Sequence, residues 1–150
     1  MKYAHLIRLT VFSHGNEDVQ PVLDAMLQFF PFSLEDRKVH LNKSTATGFN
    51  RQEIKIFEVN LSKQSLVNEF LESLVGNLSE IQKGIILNQA ESRLDSNLDF
   101  FIRFDKDSWI SGKKLALTDS GSCFHLKMSI AAFPKKREIA LKVIKDLFGE

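Results

Sequence analysis

A basic turn follows an apolar strand pattern in the segment IRFDKDSWISGK, residues 102–113. Asp105 or Asp107 can accept backbone hydrogen bonds where a helical turn begins, and Gly112 can end that turn as a left-handed residue. Part of the charge therefore has a structural explanation, but the lysines are not needed for capping. A cluster of cations attracts anionic groups such as phosphates. The lysines that surround the turn are Lys106, Lys113 and Lys114.

The strand before this turn presents two different faces, because side chains at alternate positions of a strand point to opposite sides. Apolar Phe100, Ile102 and Phe104 lie on one face, and Arg103 lies on the other. With the same alternation in three other predicted strands, the second face comprises Arg8, Thr10, Phe101, Arg103, Lys114, His125 and Lys127. Cations beside an aromatic ring suit a nucleic acid, since cations hold phosphates and a ring stacks on a base. A solvated sheet face shows the same alternation, and the sequence leaves both interpretations open.

A second group of cations opens the last predicted helix, in Pro134-Lys135-Lys136-Arg137. Proline is favoured in the first helical turn, but cations at that position oppose the helix macrodipole. One interpretation is a solvated basic start that Glu138 partly compensates. The other is a phosphate-binding corner, where helix N–H groups and cations act together.

Hydrophobic periodicity predicts a small α+β fold with the order β-α-β-β-α-α-β-β-β-α. Hairpins outnumber parallel crossovers in this order, so we expect a mostly antiparallel sheet with helices packed on one face. The clearest local signals are Asp18 as an N-cap, and a capping box formed by Ser79 and Gln82. The predicted strands cover residues 3–12, 38–44, 52–61, 98–105, 113–118 and 123–133. The predicted helices cover residues 19–30, 66–78, 79–94 and 134–149, with a short helical turn at 106–111.

The bulk composition limits the kind of partner that the chain can have. It has 150 residues, of which 43% are apolar and 26% charged, and a formal net charge of +1. This length suits one domain over residues 1–150 with one core. Proteins that depend on non-specific attraction to phosphate have a stronger basic balance, so any nucleic-acid surface here is a local patch. The apolar N-terminus is too short to span a membrane and lacks a small-residue cleavage site.

Cysteine and histidine usage indicates neither a disulfide nor a metal site. The single Cys123 cannot form an internal disulfide, which fits a reducing compartment and a cytoplasmic location. His5, His14, His40 and His125 show no metal-ligand spacing with Cys123. No glycine-rich phosphate loop precedes a predicted helix. We therefore expect no enzyme activity, no cofactor and no bound metal.

The basic turn also resembles a known family. Arg103-Phe-Asp105-Lys106, followed by Gly112, resembles the arginine-x-aspartate-lysine-glutamine stretch and later glycine of an archaeal RNA-binding-domain family described as predicted exosome subunits. Asp107 stands where that family usually has glutamine. An acid at this position lowers the local positive potential.

Three other segments extend the resemblance over nearly the whole chain. Asn16-Glu17-Asp18 is similar to the family's threonine-glutamate-aspartate segment, residues 48–50 to its glycine-rich segment, and residues 131–149 to its ending. The family's fold is similar to that of the large-subunit ribosomal protein that docks the 5S RNA. The resemblance therefore implies an α+β domain with an RNA partner.

These observations predict a non-catalytic RNA-binding domain that acts in RNA processing or in a ribonucleoprotein assembly. The alternative is a protein-interaction module or a homo-oligomeric subunit without direct RNA binding, which the low net charge and the 13 phenylalanines favour. The expected partner is RNA, within a homodimer or an RNA-processing complex, and no membrane. The residues expected to contact RNA are Arg8, Phe101, Arg103, Lys106, Lys113, Lys114, Lys127, Lys135, Lys136 and Arg137.

Overall fold

A computed structural model describes residues 2–119 and 121–149. The strands are β1 Ala4–His14, β2 Leu41–Thr47, β3 Glu53–Leu61, β4 Asp99–Asp105 and β5 Cys123–Ile130. The helices are α1 Val19–Leu27, α2 Gln64–Asn77, α3 Glu80–Asn88, α4 Ala90–Arg93, α5 Lys106–Gly112 and α6 Arg137–Phe148. A short 3₁₀ turn, Phe49–Arg51, separates β2 from β3.

The strands form one open antiparallel sheet in the order β2-β3-β1-β5-β4. Burial alternates strictly along β5, where Phe124, Leu126, Met128 and Ile130 are buried and the residues between them are half-buried. This alternation is the mark of a sheet with one covered face and one open face. The predicted α+β class with a mostly antiparallel sheet is confirmed.

Local backbone geometry explains where the elements differ from the predicted ones. The residues predicted as a strand at 113–118 form no ladder and contribute one bridge, between Leu117 and Phe104. The predicted helix at 79–94 is two helices, because Gln89 leaves the helical region with φ −102° and ψ 11°. The left-handed residue that ends α5 is Lys113, with φ 50°, and not Gly112 as the sequence suggested.

Close contacts divide the chain into two compact units. The first unit comprises residues 1–7, 61–102 and 127–150, and the second comprises residues 8–60 and 103–126. Strands β1, β4 and β5 contribute residues to both units, and the single domain over residues 1–150 stays a prediction. In the core of the first unit, the rings of Phe100 and Phe148 lie 6.1 Å apart.

An aromatic cluster forms the core of the second unit. The ring of Phe29 lies 4.6 Å from Trp109, 5.0 Å from Phe124 and 5.8 Å from Phe104. Trp109 also donates a 2.6 Å hydrogen bond from Nε1 to the carbonyl oxygen of Ala25 in α1. These contacts connect α1 to α5, so they fix the short helix that carries the basic turn.

We predict that Phe29→Ala lowers the free energy of unfolding by about 3–5 kcal/mol, because it removes the central ring of this cluster and leaves a cavity. The matched control is Phe133→Ala, since the side chain of Phe133 is 96% exposed. That variant should stay within about 0.5 kcal/mol of the wild type. Urea unfolding measures both, and equal stabilities of the two variants would contradict the assignment of Phe29 to the core.

Candidate nucleic-acid interface

Asp105, at the end of β4, forms the start of α5. Asp105 is its N-cap, and Oδ2 of Asp105 accepts hydrogen bonds from the backbone N of Ser108 at 3.0 Å and from its Oγ at 2.7 Å. These bonds from Ser108 lower the pKa of Asp105, since they stabilise the carboxylate. The predicted structural role for part of this charge is confirmed.

Lys106 lies inside the protein, although the sequence suggested a surface cation. Its side chain is 1% exposed. Nζ donates a 2.6 Å hydrogen bond to Oε1 of Glu17 and another of 2.6 Å to the carbonyl oxygen of Phe12. Its ammonium group is therefore occupied within the second unit and does not surround the turn at the surface as expected. A buried ammonium needs such partners because burial alone would cost several kcal/mol.

The pKa of Glu17, the ion-pair partner of Lys106, is lowered. Burial on its own raises the pKa of Glu17, but the hydrogen bond and positive charge of Lys106 outweigh that effect and leave the pKa below its ordinary value. The neighbouring Asp18 caps α1 by accepting a 3.2 Å hydrogen bond from the backbone N of Gln20, as predicted. The segments containing Glu17 and Lys106 are thus joined by a charged hydrogen bond.

Three cations remain at the surface around this anchored turn. Arg103, Lys113 and Lys114 are exposed, and no carboxylate of the residues the structure describes lies within ion-pair distance of them. Arg103 lies near Cys123. Burial raises the pKa of that thiol, although the charges of Arg103 and Lys106 act in the opposite direction. Burial therefore favours the protonated, neutral thiol of Cys123.

Arg8 lies on the open face of β1 as predicted, but its charge is largely compensated. Its Nε donates a 2.8 Å hydrogen bond to Oδ1 of Asn60 and lies 3.6 Å from Oε1 of Glu58. Four positions further along β1, Phe12 is 49% exposed. Strand alternation places Phe12 on the face of Arg8 and Thr10, so the sequence carried the signal for an exposed ring at this end of the strand.

In the first unit, Lys127 and Phe101 lie on the open face of the sheet, and both side chains are half-buried. Nζ of Lys127 lies 3.5 Å from Oδ2 of Asp99, and Oδ1 of that carboxylate also accepts a 2.8 Å hydrogen bond from Oγ of Ser129. Phe101 is half-buried, and its carbonyl oxygen accepts a 3.2 Å hydrogen bond from Arg93. The charge of Lys127 is therefore partly neutralised.

The cations at the start of α6 have different environments. Lys135 and Lys136 are exposed, and neither has a carboxylate within ion-pair distance in the described part of the chain. Arg137 donates to the carbonyl oxygens of Leu94, at 3.0 Å, and Glu91. Carbonyl groups at a helix end lack intrahelical partners, so Arg137 connects α6 to the end of α4. Part of this basic cluster is therefore structural.

The predicted cations consequently fall into three kinds. Lys106 is buried and anchors the turn, whereas Arg8 and Lys127 are paired with carboxylates on the sheet face. The third kind is exposed and has no such pair among the described residues. It comprises Arg103, Lys113 and Lys114 in the second unit, and Lys135 and Lys136 before α6 in the first unit. Over residues 2–119 and 121–149, no group of His, Cys, Asp and Glu side chains is arranged to hold a metal ion. In the same ranges, no helix has the length and apolar character needed to cross a membrane.

Comparison with known proteins gives a consistent family and fold. Residues 6–130 match a family model described as RNA binding. A Pyrococcus abyssi protein named an RNA-binding protein is 29% identical over 148 residues, which cover 98% of this chain and 96% of that protein. A crystal structure from Archaeglobus fulgidus, assigned to DUF54, has a TM-score of 0.85 and 28% identity, covering 96% of this chain and 99% of its own. A DUF54 structure from Methanothermobacter thermautotrophicus is similar in fold, with a TM-score of 0.78 and 24% identity over 97% of this chain and 98% of its own.

We predict that Lys106→Met lowers the free energy of unfolding by about 2–3 kcal/mol. Breaking a buried ion pair costs about 3–5 kcal/mol, and the 31% exposure of the Glu17 side chain lets water offset part of that cost. Urea unfolding at neutral pH measures the change. Lys113→Met removes the same charge from an exposed position and should change stability by less than about 0.5 kcal/mol. Similar stabilities for both variants would show that Lys106 does not anchor the turn.

Proposed function

We propose that this chain, which belongs to the RNA-binding family matched by residues 6–130, binds RNA and catalyses no reaction on it. The observation that carries this proposal is the set of exposed cations around the anchored turn. Arg103, Lys113 and Lys114 have no acidic partner among the described residues, so no internal ion pair has to break before they contact phosphate. A rigidly held basic surface binds a polyanion at a lower entropic cost than a flexible one.

The contacts follow from the chemistry of each side chain. The guanidinium of Arg103 has a planar fork of donors that suits two phosphate oxygens, while Lys113 and Lys114 act as point charges. Phe12 supplies an exposed ring in the same unit, on which a base can stack. These contacts read the backbone and the face of a base, so they bind RNA with little dependence on sequence.

We propose that the chain is not catalytic because the carboxylates and the buried ammonium near the turn already make structural contacts, and the thiol there is protonated. The carboxylate of Asp105 caps α5, and Glu17 and Lys106 neutralise each other. The raised pKa of Cys123 keeps its thiol protonated and a poor nucleophile. These four side chains therefore each have a structural explanation.

The narrower parts of the proposal concern the cellular context. We propose that the chain binds RNA during RNA processing or within a ribonucleoprotein assembly, in the manner of a predicted exosome subunit. We also propose that the fold is similar to that of the large-subunit ribosomal protein that docks the 5S RNA, which fits the same kind of partner. A cytoplasmic location is part of this proposal.

A protein-interaction surface is the second candidate, and α3 carries the observation in its favour. Ile81 is 78% exposed, and Ile85, one helical turn later, is 39% exposed. Two neighbouring apolar side chains on one helix face are typical of a small contact surface. Light scattering of the wild type and of Ile81→Glu decides whether this face joins two copies of the chain.

We predict that replacing Arg103, Lys113 and Lys114 together with methionine weakens RNA binding at least about tenfold. Fluorescence anisotropy with a short labelled RNA at two salt concentrations measures the effect. Each lost phosphate contact should also reduce the slope of log K against log salt by about 1.

The matched control removes three exposed cations from elsewhere: Lys43, Lys55 and Lys63. Net charge falls equally in both triple variants, so a general electrostatic effect would weaken binding in both. The proposal requires a larger loss in the Arg103, Lys113 and Lys114 variant. Equal losses in the two variants, or salt-insensitive binding, would refute it.

A further inference from the structure

The most exposed large apolar side chain of the described residues is an aromatic ring in a basic surrounding. Phe133 lies between β5 and α6 and is 96% exposed, compared with 78% for Ile81 and 49% for Phe12. The ring therefore contributes almost nothing to the core. Core packing does not explain a phenylalanine at this position.

The backbone holds this ring in a defined place. The backbone N of Ala131 donates to the carbonyl oxygen of Tyr3 at 2.9 Å on one side of Phe133. On the other side, the backbone N of Lys136 donates to the carbonyl oxygen of Pro134 at 2.8 Å. The first bond ties the start of the connection to the segment before β1, and the second forms a tight turn before α6.

Positive charge is concentrated beside this ring. Lys135 and Lys136 follow two and three residues later and are both exposed. Partial burial and the charges of Lys2 and Lys135 lower the pKa of His5, so these cations share one region of the first unit. The positive electrostatic potential of these lysines favours an anionic partner over an apolar surface of a protein or a membrane.

A small cavity beside Lys135 is lined by two cations and one acid. Its volume is about 190 Å³, and it is lined by Asp95, Ser96, Leu98, Lys135 and Arg137. This is below the roughly 300–1,000 Å³ of pockets that enclose whole ligands. Oδ1 of Asp95 already accepts hydrogen bonds from the backbone N of Asn97 and of Asp99, each at 2.9 Å. Arg137 donates to the carbonyl oxygens of Leu94 and Glu91, so Lys135 is the lining cation that can contact a ligand there, beside the acid Asp95.

We infer that Phe133 is a stacking platform for an unpaired RNA base, whose flanking phosphates lie against Lys135, Lys136 and the adjacent cavity. This inference rests on the proposed RNA-binding function and names the substrate class of the α6 corner as single-stranded or looped RNA. In a duplex the faces of the bases are stacked on one another and unavailable to a side chain. An exposed ring can engage a base only where the strand is unpaired.

Binding of wild type, Phe133→Ala and Ile81→Ala to a single-stranded RNA and to a duplex of equal length tests the inference. Phe133→Ala should weaken binding of the single strand about tenfold and leave binding of the duplex unchanged. Ile81→Ala removes a comparably exposed apolar side chain far from these cations in sequence and should leave both affinities unchanged.

A second measurement detects the stacking itself. In Phe133→Trp, a bound single strand should quench the new tryptophan emission, whereas an RNA with abasic sites should not. Trp109 of the wild type, which is hydrogen-bonded to Ala25, supplies the background signal.

The outcomes separate this inference from the proposed function. If the Arg103, Lys113 and Lys114 variant loses RNA affinity but Phe133→Ala does not, the stacking role is refuted and RNA binding stands. Equal losses of single-strand and duplex affinity in Phe133→Ala, or no quenching in Phe133→Trp, would also refute stacking. A wild-type protein that binds neither RNA would overturn both.

Discussion

The buried ammonium of Lys106 is the constraint on which the basic turn depends. An ammonium group that is 1% exposed is tolerated only when hydrogen-bond acceptors replace its water. Glu17 and the carbonyl oxygen of Phe12 provide them at 2.6 Å each. The pair holds the start of α5 against the end of β1 and the loop before α1, and together with the contacts of Trp109 it sets the orientation of the turn.

The same interaction explains which charged residues near the turn have structural contacts and which remain at the surface. Asp105, Glu17 and Lys106 are engaged in the cap and the ion pair, which leaves Arg103, Lys113 and Lys114 at the surface. A chain with a formal net charge of +1 can therefore present a local basic surface, because Asp105 and Glu17 are used internally and only Asp107 of the turn remains an exposed acid. Lys113 holds a left-handed backbone conformation, with φ 50°, and this directs the chain away from α5.

Local patterns predicted much of this arrangement. Alternation identified the open face of β1, β4 and β5. Short-range hydrogen-bond rules identified Asp18 and the capping box of Ser79 and Gln82, and limited the cap of α5 to Asp105 or Asp107. These features depend on residues within a few positions of one another. The sequence signals for them were correspondingly strong.

Contacts between distant residues could not be predicted in the same way. Glu17 and Lys106 are 89 positions apart, and Arg8 and Asn60 are 52 apart. Whether a lysine is a surface cation or a buried anchor depends on which acid the fold brings to it. The segment 113–118 had a strand-like composition, but the left-handed Lys113 and a single bridge replace the ladder. Phe133 was missed because exposure of a ring in a connection carries no periodic signal.

Lysine acetylation footprinting of the native protein, read by mass spectrometry with and without single-stranded RNA, tests the central claim most directly. The account predicts that Lys106 resists acetylation in both conditions and reacts only after unfolding. Lys113 and Lys114 should react readily in the free protein and become protected when RNA is bound. Acetylation of Lys106 as fast as that of Lys113, or equal labelling of Lys113 and Lys114 with and without saturating RNA, would contradict it.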